Sequence, residues 1–201
     1  LRLTHETIVL DNGQIVMRAP TPQAVDHYLN MGLTKQGERI WEPEEFSDEM
    51  APFRPVALRV LNPSGVVVDT VNAVDGFTIE FEYQLDDAIS GLRVGLYMQT
   101  TRGEYVFTTF DTDDPQMFEN YSARPSGRYI SRCQIPPNLM NEGRFVLGVN
   151  ASAYRIRRFF QDDKALTFTV DATGAPGTHW PEKRLGPIRP KLNWKIEQIG
   201  K

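Results

Sequence analysis

The chain of 201 residues holds one cysteine, Cys133, so it forms no internal disulfide. Its three histidines, His5, His27 and His179, are scattered too widely to pair at metal-ligand spacing. No apolar run approaches the roughly 20 residues of a membrane helix. The start, LRLTHETIVLDNGQ, lacks a basic region followed by an apolar stretch, so no export signal is read there. Without disulfides or an export signal, the expected setting is the cytoplasm. Charge is nearly balanced, with 22 basic and 26 acidic residues and a net −4, which argues against nucleic acid as the main partner. The GxxxxGK[ST] phosphate loop and the GxSxG nucleophile elbow are both missing. No cofactor or metal is expected.

What the sequence does have is a succession of short alternating strands. Phe77, Ile79, Phe81 and Tyr83 alternate with Thr78, Glu80, Glu82 and Gln84. Leu92, Val94, Leu96 and Met98 alternate with Arg93, Gly95, Tyr97 and Gln99. This period of two belongs to half-buried strands. The turn Thr101-Arg102-Gly103-Glu104 joins the second run to Tyr105–Asp111, which predicts a hairpin over Gly91–Asp111. Further strands are predicted at Val56–Leu61 and Val66–Val71, paired as a hairpin about Asn62-Pro63-Ser64-Gly65, and at Gly127–Ile135, Gly143–Ala151 and Lys164–Val170. About eight strands without a convincing amphipathic helix among them predict an all-β fold, an antiparallel sandwich of immunoglobulin-like or jelly-roll type.

Four regions are expected. In residues 1–30, Thr7–Leu10 and Gln14–Val16 flank the turn Asp11-Asn12-Gly13, and Thr21-Pro22 caps a short helix with Ala24, Val25, Tyr28 and Leu29 as its apolar stripe. Residues 31–53 read as a linker, with Trp41, Phe46 and Phe53 packing a connecting segment. Residues 54–172 form the sandwich. Residues 173–201 read as an extended Pro/Gly arm in which Leu192, Trp194 and Ile196 form one more strand, able to join its own sheet or a partner's.

Sugars stack on aromatic planes and pair their hydroxyls with amides, hydroxyls and carboxylates. The polar face of the central hairpin offers Tyr97 and Gln99 with, depending on register, either Thr109 and Asp111 or Thr108. In Gly143–Tyr154 the apolar Phe145, Leu147, Val149 and Ala151 leave Arg144, Gly148, Asn150 and Ser152 on the opposite face. If the two strands are neighbours, Tyr97, Gln99, Asn150 and Ser152 line one polar surface, with Tyr154 and Arg155 at its edge; an ordinary solvated face is the alternative. Glycines 95 and 148 mark either a close approach or a bulge. Arg155-Ile156-Arg157-Arg158 suits phosphate groups or an acidic partner. The run Asp111-Thr112-Asp113-Asp114 before Pro115 reads either as an acidic turn or as carboxylates that accept sugar hydroxyls. Cys133 reads as inert packing.

The segment TIVLDNGQIV followed by APTPQAVDHYL resembles the end of an ABC-transporter ATPase domain, departing from it at Arg18-Ala19, where that family more often has glycine. The ATPase signature and Walker motifs do not occur in these residues. Together with Val60–Gly65, Phe77–Tyr83, Gly91–Phe107 and Gly143–Ala151, the order of ATPase end, linker and sandwich resembles the nucleotide-binding subunit of O-antigen polysaccharide ABC exporters, the Wzt type. That resemblance implies a non-catalytic carbohydrate-binding domain. It implies recognition of the non-reducing end of an undecaprenyl-diphosphate-linked O-antigen polysaccharide and the coupling of chain completion to export. It further implies a homodimer, in some relatives built by exchange of a C-terminal strand, and a parent protein that pairs with a transmembrane permease and lies against the inner membrane. Two other readings stand beside it: a structural dimerisation module, and a glycan-modifying enzyme using the Asp111–Asp114 carboxylates.

Overall fold

In the computed structural model, which describes residues 4–11, 13–30, 37–177, 179–180, 182 and 184–199, the chain starts with a hairpin of β1 (Glu6–Asp11) and β2 (Gln14–Pro20). Gly13 turns it with φ +79°, a conformation glycine adopts freely. The hairpin leads into α1 (Thr21–Asn30), and Val9, Ala19 and Ala24 form a small core with Met17 against it. Val25 and Leu29 of the expected stripe, and Pro22 of the expected cap, lie outside the described side chains, as does Asn12 of the turn. Ile8, Leu10, Ile15 and Val16 are left 48–64 % exposed.

Of the segment read as a linker, residues 31–36 lie outside the described residues. Beyond them β3 (Glu38–Ile40) pairs with β4 (Phe53–Leu61), and Trp41 enters the main core edge-on to Phe81 and Phe160. Thereafter follow β5 (Thr70–Asn72), β6 (Phe77–Leu85), β7 (Ile89–Ser90), β8 (Leu92–Thr100), β9 (Tyr105–Phe110), α2 (Pro115–Tyr121), β10 (Ala123–Arg124), β11 (Gly127–Ile135), β12 (Gly143–Ala153) and β13 (Arg157–Asp171).

The strands make a sandwich. One sheet has the order β11-β6-β4-β3 and the other β5-β13-β12-β8-β9. Pairings are antiparallel except β5, which runs parallel to β13. The alternating apolar faces meet between them: Ile79, Phe81 and Tyr83 from one side, Leu92, Val94, Met98, Leu147 and Phe168 from the other, each no more than 3 % exposed. Their burial is the main source of stability, each large side chain contributing on the order of 1.5–3 kcal/mol.

Two expectations are corrected. The hairpin predicted over Val56–Leu61 and Val66–Val71 begins as expected, since Asn62 Oδ1 accepts from the amides of Ser64 and Val66 and Val68 N–H donates to the Val60 carbonyl. It then crosses, because Thr169 N–H bonds the Asp69 carbonyl and β5 joins the opposite sheet. Such a segment closes a corner of the sandwich. The connection after Asp111 contains α2, whose N-cap is Asp114: its Oδ1 accepts from the amides of Gln116 and Met117 at 2.9 and 3.1 Å. In the single chain residues 190–199 join neither sheet, and Leu192, Trp194, Ile196 and Ile199 are 65–95 % exposed. An isolated strand has nothing to pair its backbone groups.

On the outer side of the four-stranded sheet, Glu80 and Glu82 sit only 7 and 8 % exposed. Arg59 bridges both, at 3.1 and 2.8 Å, and Arg132 and Arg128 close the ends. Neutralising the two carboxylates by three guanidinium groups permits their burial. No described helix is long and apolar enough to cross a membrane.

Candidate functional site on the five-stranded sheet

Strands β8 and β12 lie side by side, with Gly148 opposite Tyr97, Asn150 opposite Gly95 and Ser152 opposite Arg93. Opposed residues share a face. This register therefore gathers Arg93, Tyr97, Asn150 and Ser152 on the outer side of the sheet. The β12–β13 turn adds Tyr154 and Arg155 at the rim, closing a groove of about 390 Å³. Arg155 adopts φ +59°, and the Ile156 amide bonds the Ala153 carbonyl at 3.0 Å, so the turn is tight.

The floor of the groove is an amide and a phenol. Asn150 is 2 % exposed, and its Nδ2 donates to the Tyr97 hydroxyl oxygen. With its oxygen accepting that bond, the Tyr97 O–H is left to donate outward. Asn150 Oδ1 is buried and has no hydrogen-bond partner among the described residues. A buried acceptor of this kind carries a desolvation cost that a ligand or an ordered water removes. Tyr97 meets Tyr105 edge-on, 6.1 Å between centroids. Burial, then the negative charge of Asp163, pushes the Tyr97 phenol above its ordinary range, so it stays protonated at neutral pH.

Around this floor stand cations. The Arg93 guanidinium lies 4.3 Å from the Phe110 ring centroid and 4.7 Å from that of Tyr154, and its Nε donates to Ser152 Oγ at 3.3 Å. The Arg155 guanidinium also contacts the Tyr154 ring, 5.2 Å from its centroid. Arg157 and Arg158 complete the lining. Arg93 was legible as an outward position of β8, but alternation alone does not mark an arginine as part of a groove; its placement between two rings does.

Of the eight residues predicted for a sugar site, Tyr97, Asn150, Ser152, Tyr154 and Arg155 come together here. Gln99 shares the face but is 6 % exposed and donates to the Asp163 carbonyl at 3.3 Å. The register pairs Tyr97 with Thr108 and Leu96 with Thr109, so Thr109 turns to the inner side. Thr109 and Asp111 instead line a separate cavity of about 300 Å³ with Phe81, Val94, Leu96 and Cys133. Asp111 there accepts from Arg124 Nη2 and Ser131 Oγ, both at 2.8 Å, and from the Val94 amide at 2.9 Å. Asp113 accepts from Thr109 Oγ1 and the Phe110 amide. With Asp114 capping α2, all three carboxylates of the acidic run hold local structure. Burial pushes the Cys133 thiol up, away from the reactive thiolate. Among the described residues no three His, Cys, Asp or Glu side chains converge to hold a metal.

The two strand glycines have different neighbours. A Cβ at Gly95 would lie 2.6 Å from the Phe110 ring and 3.0 Å from Asn150 Nδ2. A Cβ at Gly148 would lie 2.8 Å from the Asp163 carbonyl, where the β12–β13 register shifts. Gly95 makes room for the groove wall, and Gly148 for a bulge.

Residues 54–180 match the family model of the Wzt C-terminal domain. Among solved structures the chain is similar to a crystal structure of the C-terminal domain of Wzt, with TM-score 0.62 and 13 % identity over 81 % of this chain and 93 % of that one. A further match, the CooA pilin subunit from enterotoxigenic Escherichia coli, has TM-score 0.21 and 10 % identity over 57 % of this chain and 97 % of that one, too low to bear on the fold. No curated protein is significantly similar to the chain.

Proposed function

Because this chain belongs to the Wzt C-terminal domain family, we propose that its outer-sheet groove binds the non-reducing end of a lipid-linked O-antigen polysaccharide and so couples completion of the glycan to its export. The Wzt C-terminal domain is a non-catalytic binding domain, and membership supports a carbohydrate-binding role in an O-antigen ABC transporter. The observation that carries the assignment to this groove is the Tyr97–Asn150 pair. It presents an outward O–H donor and a buried acceptor, unpaired among the described residues, beside the Tyr105 and Tyr154 rings. A sugar hydroxyl needs such a donor and acceptor pair, and its ring needs an aromatic neighbour.

In this reading residues 1–30 are the end of an ATPase domain, 31–53 the connection, 54–172 the sandwich and 173–201 a C-terminal arm. The glycan arrives on undecaprenyl diphosphate at the cytoplasmic side of the inner membrane, and the parent subunit works with a transmembrane permease. The exposed, alternating Leu192, Trp194 and Ile196 favour a homodimer in which this segment adds as a strand to the partner's sheet.

The test is titration of the chain with O-polysaccharide from its own source and with a foreign O-polysaccharide, followed by backbone NMR. Saturable shifts around Tyr97 and Asn150 with the cognate glycan alone are expected. Absence of shifts at high concentrations of both glycans would remove the binding reading and leave the structural dimerisation module.

A further inference from the structure

A second cavity opens where the two sheets share no edge. Strand β9 ends the five-stranded sheet and β11 the four-stranded one. Between them lies the space of about 300 Å³ whose inner end is formed by Phe81, Val94 and Leu96, each no more than 7 % exposed. Strand β8 divides it from the groove: Val94 and Leu96 face this cavity, Arg93 and Tyr97 the groove. An apolar cavity of about 150 Å³ accepts a benzene ring. This one therefore has room for a ring and a short side chain. Met117 of α2 forms part of the wall, although α2 buries none of its side chains. A methionine held this loosely can fold against a guest of irregular shape.

The polar groups of this wall are unequally used. Thr109 Oγ1 donates to Asp113 Oδ2 at 3.1 Å and Ser131 Oγ to Asp111 Oδ2 at 2.8 Å, so both hydroxyl protons are taken. Arg124 neutralises Asp111, and Arg132, the cation of the lining, is tied to Glu80 at 2.8 Å. Asp113 and Asp114 are exposed at the mouth, and among the described residues no ion pair reaches either. Local donors occupy Asp113 Oδ2 and Asp114 Oδ1, and each carboxylate keeps a second oxygen able to accept more. An apolar interior thus meets a mouth rich in acceptors and in surplus negative charge. That combination favours a guest with an apolar body and a cationic, donating head, and it disfavours an anion.

We propose that this cavity binds a small primary amine with an aromatic or branched apolar body. The body lies against Phe81, Val94 and Leu96, and the ammonium group meets Asp113 and Asp114. The site is separate from the glycan groove and does not depend on it.

The probe is phenethylamine, with phenethyl alcohol and phenylpropionate as its neutral and anionic counterparts. Each is titrated into the chain and followed by backbone NMR, in parallel with alkylation of Cys133 by iodoacetamide in alkaline buffer. Cys133 lines the cavity and is the chain's one cysteine, so its protection reports occupancy of the interior. Saturable shifts at Leu96, Thr109 and Ser131 are expected, with a dissociation constant for the amine on the order of a millimolar and alkylation slowed about threefold at saturation. The amine should bind about threefold to fivefold more tightly than the alcohol, the scale of an exposed ion pair, and the carboxylate least tightly. Added salt should narrow that preference. The double variant Asp113→Asn with Asp114→Asn keeps an acceptor at each position, and asparagine caps a helix as well as aspartate does, so the fold should hold. In it the amine should fall to the affinity of the alcohol, while binding of the alcohol stays unchanged. Equal affinity of the wild-type chain for amine and alcohol would overturn the selection for a cation. Shifts at Asp113 and Asp114 without protection of Cys133 would put the amine on the rim alone and overturn the cavity as its site, as would an absence of shifts with all three ligands.

Discussion

Arg124 Nη2 donates to Asp111 Oδ2 over 2.8 Å, joining the end of the β8–β9 hairpin to the segment after α2. Both side chains are largely buried, at 3 and 15 % exposure, and Arg124 also reaches the Tyr83 hydroxyl and the Tyr121 carbonyl. Asp111 therefore belongs to the frame of the sandwich. Removing one partner of such a pair strands the other charge in a poor solvent.

Asp111→Ala should accordingly lower the unfolding free energy by about 3 kcal/mol. Under conditions where the variant remains folded, glycan affinity should stay within about twofold of wild type, because the outer groove lies on the other face of the sheet. Urea denaturation followed by tryptophan fluorescence measures the first effect and calorimetry the second. A stable variant with lost affinity would reverse the assignment and return the carboxylate to the binding site.

Gly148→Ala should destabilise the chain by about 1–3 kcal/mol. The added methyl meets the backbone of Asp163 at 2.8 Å, and backbone cannot rotate away. The same denaturation experiment reads it. The neighbouring bulge should register as well, with amide exchange quickening along β12 and β13. If the Gly148→Ala variant were as stable as wild type, the bulge would have to reform elsewhere.

Acid should loosen the four-stranded sheet through Glu82. The hydrogen bond from Arg59, reinforced by Arg128, holds the Glu82 carboxyl below its ordinary value of 4.5. The folded state thus binds this proton less readily than the unfolded chain. The stability it contributes is complete above the unfolded value and is lost as pH falls through the lower, folded one. The urea midpoint should stay level from pH 7 to about 5 and fall steeply below about 4.3. Glu82→Gln should be less stable at pH 7 and show a shallower acid fall. An unchanged acid profile in that variant would mean the ladder does not couple to folding.

How far the sequence revealed these features depended on range. The period of two placed Phe77–Leu85 and Leu92–Met98 in the core because it is a local pattern that sterics translate directly. The same pattern failed at Val66–Val71, where a turn and three consecutive valines resemble a hairpin; the backbone bond of Asp69 to a strand far later in the chain decides the outcome. The polar face was legible in part. Tyr97, Asn150 and Ser152 followed from alternation once the two strands were taken as neighbours, but the choice between Thr108 and Thr109 depended on register, which alternation does not supply. The helix α2 was missed although its Asp-Pro start was visible, because it is short and buries none of its side chains, which leaves no apolar stripe to read.

Tyr97→Phe tests the centre of the site. The substitution keeps the ring and its edge contact with Tyr105 but deletes the hydroxyl that Asn150 Nδ2 bonds. Asn150 then has both polar ends buried without a partner, so stability should fall by about 1–2 kcal/mol. Binding loses the outward donor as well, and glycan affinity should drop about fivefold to tenfold. The double change Tyr97→Phe with Asn150→Leu separates the two effects. It removes the orphaned amide, so stability should recover relative to the single variant while affinity does not. If affinity recovered together with stability, the pair would serve only to hold β8 against β12, and the sugar would have to sit elsewhere on the sandwich.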